Sequence, residues 1–93
     1  MIDDRSVLKR GTKYLDTELD DEVILMQVES GQIFGMAETA QEIWTRLSEP
    51  VTFGKLLDDL VEQFDVDRAT CAAEVSRFLV ELQNQEFIEI SAT

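Results

Sequence analysis

The sequence has no histidine, one proline, one cysteine and four glycines in 93 residues. Each scarcity excludes a class of function. Without histidine, the commonest general base and the commonest nitrogen ligand for metals are missing. A lone cysteine, Cys71, can form neither an internal disulfide nor a cysteine zinc cage. It falls on the apolar stripe of a helical segment, where a thiol with no histidine to activate it reads as a packing residue. The glycines Gly11, Gly31, Gly35 and Gly54 stand isolated, so there is no phosphate-cradling loop. The triplet Asp20-Asp21-Glu22 lacks the glycine and alternating ligands of a calcium loop and reads as a solvated turn. The pairs Asp3-Asp4 and Asp58-Asp59 are adjacent residues, which diverge on a strand or a helix. The expectation is a chain with no catalytic residue, no metal and no cofactor.

Positive charge is also scarce. Eight Lys and Arg face twenty Asp and Glu, a formal net charge of −12. The imbalance is uneven, with Arg5, Lys9, Arg10 and Lys13 near the start and only Arg46 and Lys55 set against the acids of residues 14–67. Such a surface repels nucleic-acid phosphates and anionic membranes, and suits either solubility or a basic partner. No apolar run approaches the about 20 residues that span a bilayer, and Met1-Ile2-Asp3-Asp4-Arg5 lacks a signal-peptide core. A cytoplasmic chain without membrane association is expected. At 44% hydrophobic residues it can bury one core, so residues 1–93 are expected to form a single domain.

What is present is a change of period. Residues 1–12 show none and read as a loose N-terminal arm. Residues 13–19 and 23–29 read as strands, with Ile24, Met26 and Val28 sharing one face. Ser30-Gly31 supplies a hairpin turn, and residues 32–37 return. After Ala37 the period becomes helical. Thr39 and Glu42 have capping-box spacing before a helix over 40–47 that buries Ala40, Ile43, Trp44 and Leu47, and Pro50 ends it. Thr52 caps a second helix, 53–64, and Asp67 a third, about 68–85, with Cys71, Ala72, Val75, Phe78, Leu79 and Leu82 as its main stripe. Residues 87–90 are short and β-prone. The fold class is therefore α+β: a three-stranded antiparallel sheet followed by three helices, similar to a winged helix-turn-helix.

Two surfaces of this arrangement suit peptide binding. The strand 32–37 closes its meander and carries neither charge nor proline, so it is an edge to be covered or used. A helix or the terminal segment 87–90 would cover it; an extended peptide would use it as a further strand, with Gly35 leaving room for approach. The third helix has a secondary strip of Ala69, Ala73, Arg77 and Val80, which reads either as a groove wall or as a plain helix-favouring face. A nucleic-acid-binding winged helix, or a structural interaction domain, is the alternative. A recognition helix should be basic, however, and Arg68 and Arg77 are offset by Glu74 and Glu81.

The run EVILMQVESGQIFGMAETAQEIW, residues 22–44, resembles the central signature of the PqqD-like family, also called the RiPP precursor recognition element. Its parts are an aliphatic strand (23–28), Gly31, an aromatic-containing strand with Phe34 and Met36, and Ile43-Trp44 at the helix end. Val51-Thr52-Phe53, Phe64-Asp65-Val66 and the Val75, Phe78, Leu79, Leu82 spacing continue the likeness over residues 7–90. Ile33, Ala37 and Ala40 depart from the aromatic, asparagine and glycine common there. The resemblance implies a non-catalytic adaptor that binds the leader of a ribosomally made precursor peptide as an added strand. Its peptide-binding residues would be Gln32, Ile33, Phe34, Gly35 and Met36, with Ala73, Arg77 and Val80 from the third helix. Arg77 would pair with an acidic leader residue. The resemblance further implies presentation of the leader to a modifying enzyme, either a radical-SAM enzyme or the leader peptidase and cyclase of lasso-peptide assembly. The aliphatic second strand with Glu29-Ser30-Gly31 is closer to the lasso-associated members. Monomer and dimer both fit, since an exposed edge can pair with itself.

Overall fold

The computed structural model describes residues 2–91. Nine elements follow one another: β1 (Val7–Arg10), β2 (Tyr14–Leu19), β3 (Glu22–Gln27), β4 (Ile33–Ala37), α1 (Thr39–Arg46), β5 (Val51–Thr52), α2 (Phe53–Phe64), α3 (Arg68–Asn84) and β6 (Ile88–Ser91). The α+β class and the β2-β3-β4 meander agree with the sequence pattern. Among the described residues no helix is long and apolar enough to cross a membrane.

Two parts of the sequence reading are corrected. The segment read as a loose arm contains β1, the central strand of a second antiparallel sheet ordered β5-β1-β6. Val7 pairs with both Thr52 and Ser91, and Leu8 is fully buried. Four residues with two charges show no local period; the strand is specified by partners distant in sequence. The Asp3 carboxylate helps launch it by accepting the Arg5 and Ser6 N–H groups at 2.9 and 3.1 Å. The Thr39–Glu42 capping box is also absent. Glu38 is the N-cap, at φ 57°, and makes no side-chain cap bond, while Thr39 is already helical. The other two caps form as expected, the Thr52 hydroxyl accepting from Lys55 N–H (3.2 Å) and the Asp67 carboxylate from Thr70 N–H (3.0 Å). These bonds hold the Asp67 carboxyl below the usual aspartate range, the Thr70 N–H being the largest cause.

Gly31 turns the β3–β4 hairpin at φ 74°, a conformation open to glycine at no steric cost. Its N–H donates to the Gln27 carbonyl at 2.8 Å. Register then decides which face of the meander meets the core. Val23 and Leu25 of β3 and Met36 of β4 point inward, together with Gln27, whose Oε1 accepts the Ser30 N–H at 2.8 Å. Ile24 and Met26 do share a face, but it is the opposite one; Val28 lies past the strand end and is exposed. The inward face packs on Ile43, Trp44 and Leu47 and on the stripes of α2 and α3, and Leu8 and Ile88 bring the second sheet into the same core. Arg10 joins β1 to α1: its Nη2 donates to the Trp44 carbonyl at 2.7 Å and its guanidinium lies 4.1 Å from the indole centroid.

Candidate functional site

β4 lies at the edge of its sheet, and β6 pairs with β1 and does not cover it. The hydrogen-bond alternation along β4 follows from its register. Gln27 N–H donates to the Gln32 carbonyl at 2.9 Å, and antiparallel pairs alternate between bonded and non-bonded. Leu25↔Phe34 and Val23↔Met36 are thus the bonded pairs, and Met26↔Ile33, Ile24↔Gly35 and Glu22↔Ala37 are the non-bonded ones. Ile33, Gly35 and Ala37 therefore direct their N–H and C=O groups away from β3. Among the described residues no strand meets them.

Beside this edge runs α3. Phe34 of β4 and Phe78 of α3 have ring centroids 6.4 Å apart, and Phe34 stands 6.0 Å from Phe87. On one side of the Phe34–Phe78 contact a small concavity of about 120 Å³ is lined by Gln32, Ile33, Glu81 and Gln85. On the other a larger one, about 530 Å³, is lined by Thr39, Ala40, Phe64, Val66, Glu74 and Phe78, among others. The start of β4 thus lies by the end of α3, and the end of β4 by its beginning. A strand added antiparallel to β4 would run in the direction of α3. The floor it would cross is aromatic and aliphatic, and the helix side of its rim carries Glu74 and Glu81.

Of the residues singled out from sequence, Gln32, Ile33 and Phe34 line this groove, Gly35 supplies its edge backbone, and Met36 faces the core. The helix residues divide differently. At 3.6 residues per turn, Arg77 lies next to Glu74 and Glu81 on the outer rim, and Ala73 points further from β4. Val80 lines a separate concavity of about 280 Å³ with Ile2, Ser6 and Ile90 on the opposite flank of α3. The face of α3 towards β4 carries Glu74, Phe78 and Glu81, continued by the C-cap residue Gln85, rather than the small residues Ala73 and Val80. Phe78, already on the main stripe, is the signal that finds it, because Glu74 and Glu81 follow at four- and three-residue steps. Cys71 lies at the base of the larger concavity, where burial, reinforced by the Glu74 charge, pushes its thiol up and away from the reactive thiolate. Among the described residues no group of three His, Cys, Asp or Glu could hold a metal ion.

The comparisons with known proteins fit this geometry. The family described as coenzyme PQQ synthesis protein D (PqqD) matches residues 22–88, from the first residue of β3 into β6. A solved structure, TbiB1 in complex with the TbiA(beta) leader peptide, is similar with a TM-score of 0.81 and 29% identity, over 91% of this chain and 99% of that one. No match is found among curated proteins. The strand, turn and helix signature read in the sequence is thus matched over well more than half of the chain, and the chain belongs to the PqqD family.

Proposed function

We propose that this protein is a non-catalytic, cytoplasmic adaptor that captures the leader of a ribosomally made precursor peptide and presents it to a modifying enzyme. The observation that carries this reading is the unpaired edge of β4 beside the groove floored by Phe34, Phe78 and Phe87. A leader laid there as a fourth strand gains main-chain hydrogen bonds from Ile33, Gly35 and Ala37, while its inward side chains enter the concavities on either side of Phe78. The similar TbiB1 structure holds a leader peptide, which supports leader capture here. The sequence likeness of the second strand and Glu29-Ser30-Gly31 to lasso-associated members favours a leader peptidase and cyclase as recipients over a radical-SAM partner. Arg77, at the rim, contacts an acidic leader residue; Ala73 and Val80 lie too far round the helix to take part. Nucleic-acid binding is not favoured, because α3 sets Glu74 and Glu81 on either side of Arg77.

The test is a fluorescence-anisotropy titration with a labelled leader from the precursor encoded beside this protein, at low and high salt. Micromolar or tighter affinity that changes little with salt is expected, since a neutral strand addition releases few counterions. Failure to bind any candidate leader would sink the proposal. A steep loss of binding to DNA with rising salt, alongside such failure, would support the nucleic-acid alternative.

A further inference from the structure

The outer face of the β2-β3-β4 sheet is built against expectation. An antiparallel sheet with one face on the core ordinarily presents polar side chains on the other. Here the cross-strand row Leu15, Met26, Ile33 is wholly apolar, and Thr17, Ile24, Gly35 beside it carries no charge. Leu15, Leu19 and Ile33 are 60%, 63% and 72% exposed. β3 is therefore apolar on both faces, as strands buried on both sides are. The nearby charge is of one sign. Asp20, Asp21 and Glu22 form the turn that closes one end of this face, with no basic residue among residues 16–22, while Asp16 and Glu18, paired with Leu25 and Val23, lie on the other face. At the opposite end Lys13 and Glu29 pair at 3.4 Å.

We infer that this face docks the enzyme that acts on the leader-bound precursor, through an apolar surface rimmed by lysine or arginine. Two observations select that occupant. A second copy would bring the same acidic turn and a further net charge of −12 against this one, so the complementary surface is basic and belongs to another protein. The face is also continuous with the edge of β4. The inference rests on the leader-binding reading, because a leader added at that edge extends the sheet and sets alternate side chains beside Ile33 and Gly35 on this same face. The enzyme then meets a surface made partly of adaptor and partly of leader, and binds the loaded adaptor more tightly than the empty one. By linkage, the enzyme also tightens leader binding by the same factor.

The experiment measures two affinities of the Leu15→Ser, Leu19→Ser double variant, whose altered side chains are exposed and outside the leader groove. One is for the labelled leader, the other for the purified processing enzyme, with and without saturating leader. Leader affinity within about twofold of the parent is expected, as for other surface substitutions away from a site. Enzyme affinity should fall at least about tenfold, as on loss of an interface anchor. For the parent, leader should strengthen enzyme binding at least about fivefold. Asp20→Asn with Asp21→Asn, which keeps the apolar face, should weaken enzyme binding most at low salt. Parent-like enzyme binding by the leucine variant overturns the inference and leaves the leader reading standing, whereas a parent that binds no leader overturns both. Sedimentation that finds a parent dimer and a monomeric double variant would assign the face to a second copy, and equally overturns it.

Discussion

Gly35→Pro is expected to fold like the parent and to lose leader affinity at least about tenfold, since it removes one edge hydrogen bond and places a ring in the path of the incoming backbone. The position is selected by register. Gly35 forms a non-bonded pair with Ile24, so its N–H points away from β3 and its loss leaves the β3–β4 ladder intact. A Cβ at Gly35 would meet only Ile24 Cδ1, at an ordinary 3.6 Å, so the fold has room for the side chain. Proline at Phe34 or Met36 would instead remove a ladder bond within the sheet and destabilise it. Circular dichroism and the anisotropy titration together separate the two cases. A Gly35→Pro protein with native spectrum and parental affinity would show that the peptide does not add at this edge.

Phe87→Ala is expected to cost about 3–5 kcal/mol, the range for truncating a fully buried phenylalanine. Phe87 is 0% exposed and lies between Tyr14, at 6.5 Å, and Phe34, at 6.0 Å. Its backbone is committed as well: its N–H donates to the Leu82 carbonyl and its carbonyl accepts from Gly11 N–H. The residue thereby couples both sheets to the end of α3, and Ala would leave a cavity between them. Against a total stability of about 5–15 kcal/mol this is a large share. Urea unfolding followed by the fluorescence of the single tryptophan, Trp44, which is buried and 5.2 Å from Tyr14, measures it. The midpoint should fall by about 1–5 M, given slopes of about 1–3 kcal/mol/M. A shift below about 0.5 M would mean that the two sheets are held together by other contacts.

The elements with a local cause were legible in the sequence. β3 and β4 follow from aliphatic residues around a glycine turn, and α2 and α3 from apolar stripes behind Thr52 and Asp67. β1 and β5 were not, because four- and two-residue strands carry almost no period and exist only through pairings such as Val7↔Thr52 and Val7↔Ser91. The helix cap at α1 was misplaced because a hydroxyl and carboxylate at the right spacing do not reveal that Glu38 has positive φ. The edge strand of the candidate site was readable from topology. Its helical wall was not: several flanks of α3 are rich in small or polar residues, and the flank that faces β4 is fixed by the long-range Phe34–Phe78 contact. Small residues marked Ala73 and Val80, while packing selects Glu74, Glu81 and Gln85.

Strand addition at β4 is tested most directly by amide hydrogen exchange, residue by residue, in the free protein and with saturating leader. In the free protein, the N–H groups of Phe34 and Met36 should already be protected by β3, and those of Ile33, Gly35 and Ala37 should exchange rapidly. With leader, these three should slow at least about tenfold, in the same alternate pattern, while Phe34 and Met36 change little. Protection that appears elsewhere, with Ile33, Gly35 and Ala37 still exchanging rapidly at saturation, would contradict it.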